Sequence, residues 1–181
     1  MRLFIAIEIP DELKSALGKL HSGIAGARWV PEEQLHLTLA FVGEVDAAAS
    51  DLLSERLAGI SSEGFILHFS RLGCFPNNRK PRVIWAGLEP EPLLGRLVSL
   101  VRQAALDTGI LLEERPFAPH ITLARFRQPP GREIGPLVSQ LQLPKLQPVI
   151  VEDFILYCSS LTASGAIHTP LRHFPLLPAN R

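Results

Sequence analysis

Two short histidine–threonine motifs are the residues of this chain best suited to chemistry. Residues 36–41 read His-Leu-Thr-Leu-Ala-Phe, and residues 120–125 read His-Ile-Thr-Leu-Ala-Arg. Because alternate side chains of a β-strand lie on one face, the histidine and threonine of each motif share a face and the apolar residues point the other way. A single His-x-Thr often marks only a structural histidine, whereas two copies in the same apolar context indicate a paired site.

Two histidines on opposite walls of a cleft can carry out acid–base catalysis together. The unperturbed pKa of histidine, about 6.5, lets one imidazole accept a proton while the other donates one near neutral pH. His36 and His120 are therefore the candidate catalytic residues, and a bell-shaped pH profile with limbs on either side of pH 6.5 or so is expected. The hydroxyls of Thr38 and Thr122 lie on the same faces and could hold the nonbridging oxygens of a phosphodiester.

The sixth residue of each motif is a candidate for substrate binding. Arg125 carries a planar, permanently charged guanidinium suited to a phosphate or to the face of a base. Strict alternation places Arg125 opposite His120, so Arg125 reaches the cleft only if the strand twists, bulges or ends there, and Arg127 is the alternative. Phe41 is the equivalent residue of the first motif and could stack on a base, although an aromatic residue in an apolar strand more often packs in the core.

Other kinds of active site lack their sequence signatures. The chain contains no His-Glu-x-x-His, no closely spaced cysteine pair and no carboxylate cluster, so a zinc site would lack ligands. It contains no Gly-x-Ser-x-Gly of a serine hydrolase and no glycine-rich phosphate loop of an ATP-dependent enzyme. Cys74 and Cys158 have no evident flanking base, which disfavours a cysteine nucleophile. The sequence therefore predicts a reaction without a metal or another cofactor.

Length and composition predict one cytoplasmic domain. A chain of 181 residues can bury one sizeable core. Its 18 basic and 18 acidic residues balance, so an anionic substrate must be bound by local placement of charge. The apolar start is too short for a signal peptide, and no apolar run approaches a membrane span. Two cysteines far apart in sequence suit a reducing compartment.

Hydrophobic periodicity predicts an α+β fold with a weak internal duplication. Each motif strand follows helix and strand material, which suggests a bilobal domain over residues 1–181. Two pseudo-symmetric lobes, each an antiparallel sheet with outer helices, would face each other across a cleft that brings the His-Thr rows together. The predicted strands span residues 2–9, 34–42, 65–70, 83–88, 149–157 and 166–176 besides the second motif, and helices are predicted from residue 10 to the glycines at 23–26 and over 46–58, 91–107 and 134–141.

These motifs and their surroundings resemble a known family. The chain resembles the 2H phosphoesterases, and within them the bacterial and archaeal RNA 2′,3′-cyclic phosphodiesterases, also called LigT-like 2′-5′ RNA ligases. Besides the two motifs, the similar segments are Arg-Leu-Phe-Ile-Ala-Ile at 2–7, Arg-Trp-Val at 28–30, Phe-Pro at 75–76, Arg-Val-Ile-Trp at 82–85, Phe-Ala-Pro at 117–119 and Leu-Tyr-Cys-Ser at 156–159.

This resemblance implies a function and a set of site residues. His36, Thr38, His120 and Thr122 match the family's catalytic tetrad, and Arg125 matches a position that contacts substrate. The implied activity opens 2′,3′-cyclic phosphate ends of RNA, including tRNA fragments, to 2′-phosphates without metal or nucleotide cofactor. Run in reverse, the same site would join a 2′,3′-cyclic phosphate end to a 5′-hydroxyl through a 2′-5′ bond. The protein is expected to be a monomer with no membrane association.

Several alternatives stay open at this stage. His120 is assigned to activate water and His36 to protonate the leaving 3′ oxygen, but the reverse is chemically equivalent. The substrate could instead be a small nucleotide, such as a 2′,5′-oligoadenylate or a cyclic ADP-ribose phosphate, or the chain could bind RNA ends without catalysis. The tail departs from the family's Gly-x-x-Tyr, with His168 where the aromatic residue is expected. Lacking a threonine partner, His168 and His173 are predicted to be edge or surface groups.

Overall fold

The structure, a computed structural model, describes residues 1–21, 23–77, 81–128, 136, 138, 140–162 and 165–179. Half of the helix predicted over residues 134–141 lies outside these ranges, namely residues 134, 135, 137 and 139. No helix in the described part of the chain is both long and apolar enough to cross a lipid bilayer.

Each predicted strand is present, but those predicted over 65–70 and 149–157 are each divided into two strands, and a short strand at Ala27–Trp29 was not predicted. In chain order they are β1 (Arg2–Glu8), β2 (Ala27–Trp29), β3 (His36–Glu44), β4 (Phe65–Leu67), β5 (Phe69–Phe75), β6 (Val83–Leu88), β7 (His120–Phe126), β8 (Val149–Val151), β9 (Asp153–Thr162) and β10 (Gly165–Pro175). The two motif strands are β3 and β7. The hydrogen-bonded order of the main sheet is β10-β9-β1-β3-β7-β6-β5, β2 adds to β7, and β4 pairs with β8 in a small second sheet.

The helices are α1 (Asp11–Gly18), α2 (Ala47–Ala58) and α3 (Pro92–Asp107), with a 3₁₀ helix at Glu32–Gln34. The side chain of Asp46 caps α2, accepting a hydrogen bond of 2.8 Å from the backbone N–H of Ala49. The predicted extent of the first helix is wrong. The helix α1 ends at Gly18 and not at residues 23–26, as suits the low helix propensity of glycine. The absence of a Cβ at Gly18 also leaves room for the side chain of Glu32.

The core lies on one face of the sheet, opposite the face that carries the polar residues of the motif strands. Leu37 and Leu39 of β3 belong to the same buried cluster as Ile121 and Leu123 of β7, together with leucines from all three helices. Since alternate residues of a strand point to opposite faces, this burial commits the histidines and threonines of the motifs to the other side of the sheet.

The α+β class is confirmed, but the two halves are not separate sheets facing each other. The strands β10, β9, β1 and β3 form one half, and β7, β6 and β5 form the other. The halves meet where β3 pairs with β7 through a single residue pair, Leu37 opposite Ile121. This narrow junction makes the two motif strands neighbours, so their His-Thr rows diverge from one point and line the same groove.

Candidate active site

The two motif histidines are held in the same way by the backbone. The Nδ1 atom of His36 lies 2.7 Å from the carbonyl oxygen of Gln34, and the Nδ1 atom of His120 lies 2.6 Å from the carbonyl oxygen of Ala118. A carbonyl oxygen can only accept a hydrogen bond, so Nδ1 of each ring carries the proton. The fixed tautomer leaves Nε2 of both histidines available to accept or donate a proton in the groove.

A β-bulge places Arg125 in the groove. Thr122 and Ala124 pair with successive residues of β6, so Leu123 is left without a partner in the ladder. Leu123 and Ala124 are both buried, and Arg125 returns to the face of Thr122. Strict alternation is therefore wrong for β7, and the bulge foreseen as one way for Arg125 to reach the groove is present.

A matching bulge in β3 places Phe41 in the same groove. Thr38 and Ala40 pair with successive residues of β1, and Leu39 between them has no partner. Phe41 is consequently 62% exposed. The expectation that an aromatic residue in this apolar strand packs in the core is wrong, because the bulge moves it to the open face. The two motif strands share the same succession of buried and open residues.

The groove consists of two adjoining cavities of about 660 and 650 Å³. His36 lines the first, which we call the His36 arm, and His120 lines the second, the His120 arm. The residues common to both arms form the centre of the groove: Thr38, Phe41, Glu113, Thr122 and Arg125. The fold thus brings all six predicted site residues into one continuous groove. Glu113 is a further lining residue for which the sequence offered no motif.

Three aromatic rings surround His36. The ring of Phe4 lies 5.0 Å from the His36 ring and the ring of Tyr157 lies 6.5 Å away, measured between centroids. The ring of His168 lies 5.4 Å away at an interplanar angle of 75°. His168 is on the edge strand β10 as predicted, but its side chain lines the His36 arm and does not face away from the groove. The one sequence signal for this placement is the Gly-x-x-His spacing from Gly165, where the resemblance leads one to expect a tyrosine.

The ring neighbours of His120 cannot titrate as histidines do. Phe75 meets the His120 ring edge-on at 4.9 Å, and Trp85 lies 6.5 Å from it. Trp85 fits here because Gly73 has no side chain: a Cβ at that position would lie 2.3 Å from the indole ring. The two candidate catalytic histidines are therefore packed alike, but against chemically different neighbours.

The surroundings of His36 strongly favour its neutral form. Burial is the main cause that lowers the pKa of His36 to about 4. The hydrogen bond to Gln34 opposes this shift, whereas the charges of His168, Arg125 and Lys14 add to it. Burial and the neighbouring positive charges both penalise an imidazolium in the low local dielectric unless an anion is bound close by.

The pKa of His120 is lowered too. Burial is again the first cause, the hydrogen bond to Ala118 opposes it, and the charge of Arg125 lowers the pKa further. Arg125 therefore acts on both imidazoles from the centre of the groove. A bound phosphate would raise both pKa values, because it adds negative charge beside each ring.

The His120 arm also carries positive charge away from the motifs. Arg82, Arg102 and Arg115 line it together with Phe75 and Phe117. Arg82 ends the short basic segment Asn-Arg-Lys-Pro-Arg at 78–82, and residues 78–80 of that segment lie outside the described ranges. Guanidinium groups beside aromatic rings are suited to the phosphates and bases of a single-stranded nucleic acid.

Cysteine or metal chemistry finds little support in the described residues. Burial raises the pKa of the Cys74 thiol, which is the opposite of what a nucleophile needs. Cys158 is half-buried and, like Cys74, forms no disulfide. In the described ranges, no three or more His, Cys, Asp or Glu side chains are grouped as a metal site requires.

Comparison with known proteins places these features in a family. The family model described as LigT like Phosphoesterase matches residues 7–85 and 88–168, so each matched stretch contains one His-x-Thr motif. The RNA 2′,3′-cyclic phosphodiesterase of Archaeoglobus fulgidus is 33% identical over 177 residues, covering 96% of this chain and 99% of that protein. The protein of the same name from Escherichia coli is 32% identical over 185 residues, covering 97% of this chain and 96% of that protein.

Solved structures agree with the sequence relatives. The crystal structure of E. coli LigT in apo form matches with a TM-score of 0.83 at 32% identity, and its complex with 3′-AMP matches with a TM-score of 0.84 at 32% identity. Each match covers 97% of this chain and 97% of the other. The α+β fold and the resemblance noted in the sequence are thereby confirmed.

Proposed function

Because the chain belongs to the LigT-like phosphoesterase family, we propose that it hydrolyses the 2′,3′-cyclic phosphate at the end of an RNA, leaving a 2′-phosphate. The observation that carries this proposal is the paired geometry of His36 and His120. Each ring donates Nδ1–H to a backbone carbonyl and leaves Nε2 for the groove. The curated relatives that match nearly end to end bear the name of this activity.

The proposed reaction needs both histidines, in opposite protonation states. One neutral imidazole accepts a proton from water as the water oxygen bonds to phosphorus. The other, charged imidazole donates its proton to O3′ as the P–O3′ bond breaks, so the products are a 3′-hydroxyl and a 2′-phosphate. The lowered pKa of His36 in the free protein does not assign the roles, because the bound phosphate raises it before proton transfer.

The remaining site residues are assigned to substrate binding. The hydroxyls of Thr38 and Thr122 would donate hydrogen bonds to the nonbridging oxygens of the cyclic phosphate. Arg125 would bind the phosphate or stack on the terminal base, and the exposed ring of Phe41 would hold the other face of that base. Both side chains lie in the centre of the groove, where they can reach a substrate in either arm.

The direct test uses an RNA oligonucleotide that ends in a 2′,3′-cyclic phosphate. Conversion to a 2′-phosphate, identified chromatographically against 2′- and 3′-phosphate standards, is the expected result. A panel with a 2′,5′-oligoadenylate and a cyclic ADP-ribose phosphate tests for a sister activity on small nucleotides. Tight binding of the cyclic end without turnover would instead identify a binding module. Incubation of the cyclic-phosphate RNA with a 5′-hydroxyl RNA tests 2′-5′ ligation, in which the 5′-hydroxyl oxygen bonds to phosphorus in place of water and the P–O3′ bond breaks.

The pH dependence of kcat/KM should show both lowered histidine pKa values. We expect a bell whose acidic and basic limbs both lie below the reference value of about 6.5, because kcat/KM reports the free enzyme and both groups titrate low there. This corrects the expectation of limbs on either side of that value. The kcat profile should lie at higher pH, since the bound phosphate raises both pKa values. A kcat/KM profile that rises without a maximum to about pH 9 would contradict an acid–base histidine pair.

Chelation should leave the rate unchanged. A two-histidine mechanism needs no Lewis acid, and the described residues contain no group of three or more His, Cys, Asp or Glu side chains that could hold a metal ion. The measurement is the initial rate on the cyclic-phosphate RNA before and after dialysis against EDTA. Loss of activity that zinc or magnesium restores would overturn this prediction.

A further inference from the structure

The edge strand β10 contacts His36 by two separate routes. By the first, the Gln34 side chain donates a hydrogen bond of 2.6 Å from Nε2 to the carbonyl oxygen of Ala166, and the Gln34 carbonyl accepts the Nδ1–H of His36. By the second, His168, two residues along the strand from Ala166, packs its ring edge-on against the His36 ring. His168 also packs against Phe4 at 4.8 Å, and Phe4 lies 5.0 Å from the His36 ring, so the three rings form one cluster.

This arrangement is absent from the other half of the described site. The rings beside His120 are those of Phe75 and Trp85, which carry no titratable nitrogen. A phenylalanine or tyrosine at position 168 would satisfy the packing equally well. The distinct property of a histidine there is that it can be charged 5.4 Å from a second imidazole.

We propose that His168 is a positioning residue for His36, because its imidazole sets the orientation of the His36 ring and opposes the uptake of a second proton beside it. The inference rests on the proposed function, in which His36 transfers a proton. Two imidazoles this close titrate as a coupled pair, so a proton on His168 keeps His36 neutral. Burial lowers the pKa of His168 as well, which keeps this pair uncharged near neutral pH.

Other charged groups act on the same pair and define the background of the test. Arg125 approaches from β7, and Lys14 approaches from α1, where its ammonium is paired with Glu8 and Asp11. Arg2 of β1 and Glu113 line the same arm. Tyr157 of β9 is also close, but burial and nearby acids raise the pKa of Tyr157 to about 12, so its phenol stays neutral. Of these titratable groups, His168 has the ring that packs closest to the His36 ring, at 5.4 Å against 6.5 Å for Tyr157.

The test varies the charge at position 168 and follows both limbs of kcat/KM, because His36 sets the acidic limb if it is the base and the basic limb if it is the acid. His168→Gln removes the charge, so we expect the limb set by His36 to move up by about half a pH unit to one pH unit. His168→Lys makes the charge permanent and should move the limb in the opposite direction. The matched control is His173→Gln on the same strand, since His173 is exposed and paired with Asp153; its profile should equal that of the unaltered protein. Profiles of both position-168 variants that equal the control would overturn the proposal.

A second measurement removes the dependence on activity and on the stability of the variants. Imidazole resonances of His36 and His168 in the unaltered protein, followed by NMR through the acid range, should share titration steps as coupled groups do. Independent single-step curves would overturn the proposal even if a variant failed to fold. Because no substrate is needed, coupled titration in a protein that fails to open cyclic phosphates would sink the proposed function alone.

Discussion

Replacing His36 or His120 with alanine is expected to lower kcat on a cyclic-phosphate RNA by about a hundred- to ten-thousand-fold in each case. Each substitution removes one of the two proton transfers. Both side chains are only half-buried, so their removal should leave the sheet and its core intact. The double variant should lose less than the product of the two single losses, because residues that act as a unit are not additive. Rates of the three variants under single-turnover conditions measure this directly.

The matched control for this prediction is His173→Ala. His173 is an exposed histidine of β10 whose Nδ1 lies 2.8 Å from an Asp153 carboxylate oxygen, outside both arms of the groove. Its alanine variant should keep the full rate. Near-normal activity in either His36→Ala or His120→Ala would rule out the two-histidine mechanism.

The same two variants can assign the acid and the base. In a phosphodiester with a nitrophenolate leaving group, the leaving group departs without being protonated. The variant that lacks the acid should therefore recover much of its rate on this substrate. The variant that lacks the base should not recover. The sequence favoured His36 as the acid, and that assignment predicts recovery in His36→Ala alone.

Removing Arg125 is expected to have the second largest effect. Arg125→Ala should lower kcat/KM by about 10- to 100-fold, the range for losing hydrogen bonds to a charged group, mainly through KM. Arg125→Lys keeps the charge but loses the planar fork, so it should be impaired well beyond a conservative change. Steady-state kinetics of both variants on the cyclic-phosphate RNA separate the two contributions.

Arg127→Ala provides the comparison for Arg125. Arg127 lies two residues further along the chain, is exposed, and belongs to the lining of neither arm. Its backbone oxygen, which the substitution leaves in place, accepts a hydrogen bond of 3.2 Å from Nη1 of Arg82. Arg127→Ala should stay within about twofold of the unaltered protein, as substitutions of uninvolved surface residues usually do. A damaged Arg127 variant beside a normal Arg125 variant would transfer the contact to Arg127.

The local sequence determined the reactive pairs and the class of the fold. The period of two in each motif sets the histidine and threonine apart from the apolar residue between them, because alternate residues of a pleated strand point to opposite faces. Burial of Leu37 and Ile121 then directs the polar residues to one open face. These features depend on near neighbours in the chain, so they can be predicted without knowing which strands pair.

The placement of Phe41 and Arg125 was decided by tertiary structure. A bulge is a property of two paired strands, since it exists only where one strand has an extra residue relative to its partner. Leu39 and Leu123 have no partner in the registers with β1 and β6, and nothing within the motifs distinguishes them from paired leucines. Without these bulges, alternation would turn Phe41 and Arg125 away from the groove.

The contact between His168 and His36 was also beyond the reach of the sequence. It depends on β10 closing the edge of the sheet and on Gln34 binding Ala166, residues that are distant in the chain. The sequence likewise predicted two facing sheets, whereas the chain forms one sheet joined at Leu37 and Ile121. Local patterns fix which face of a strand is polar, but the neighbours of that face are set by strand order, which only the folded chain determines.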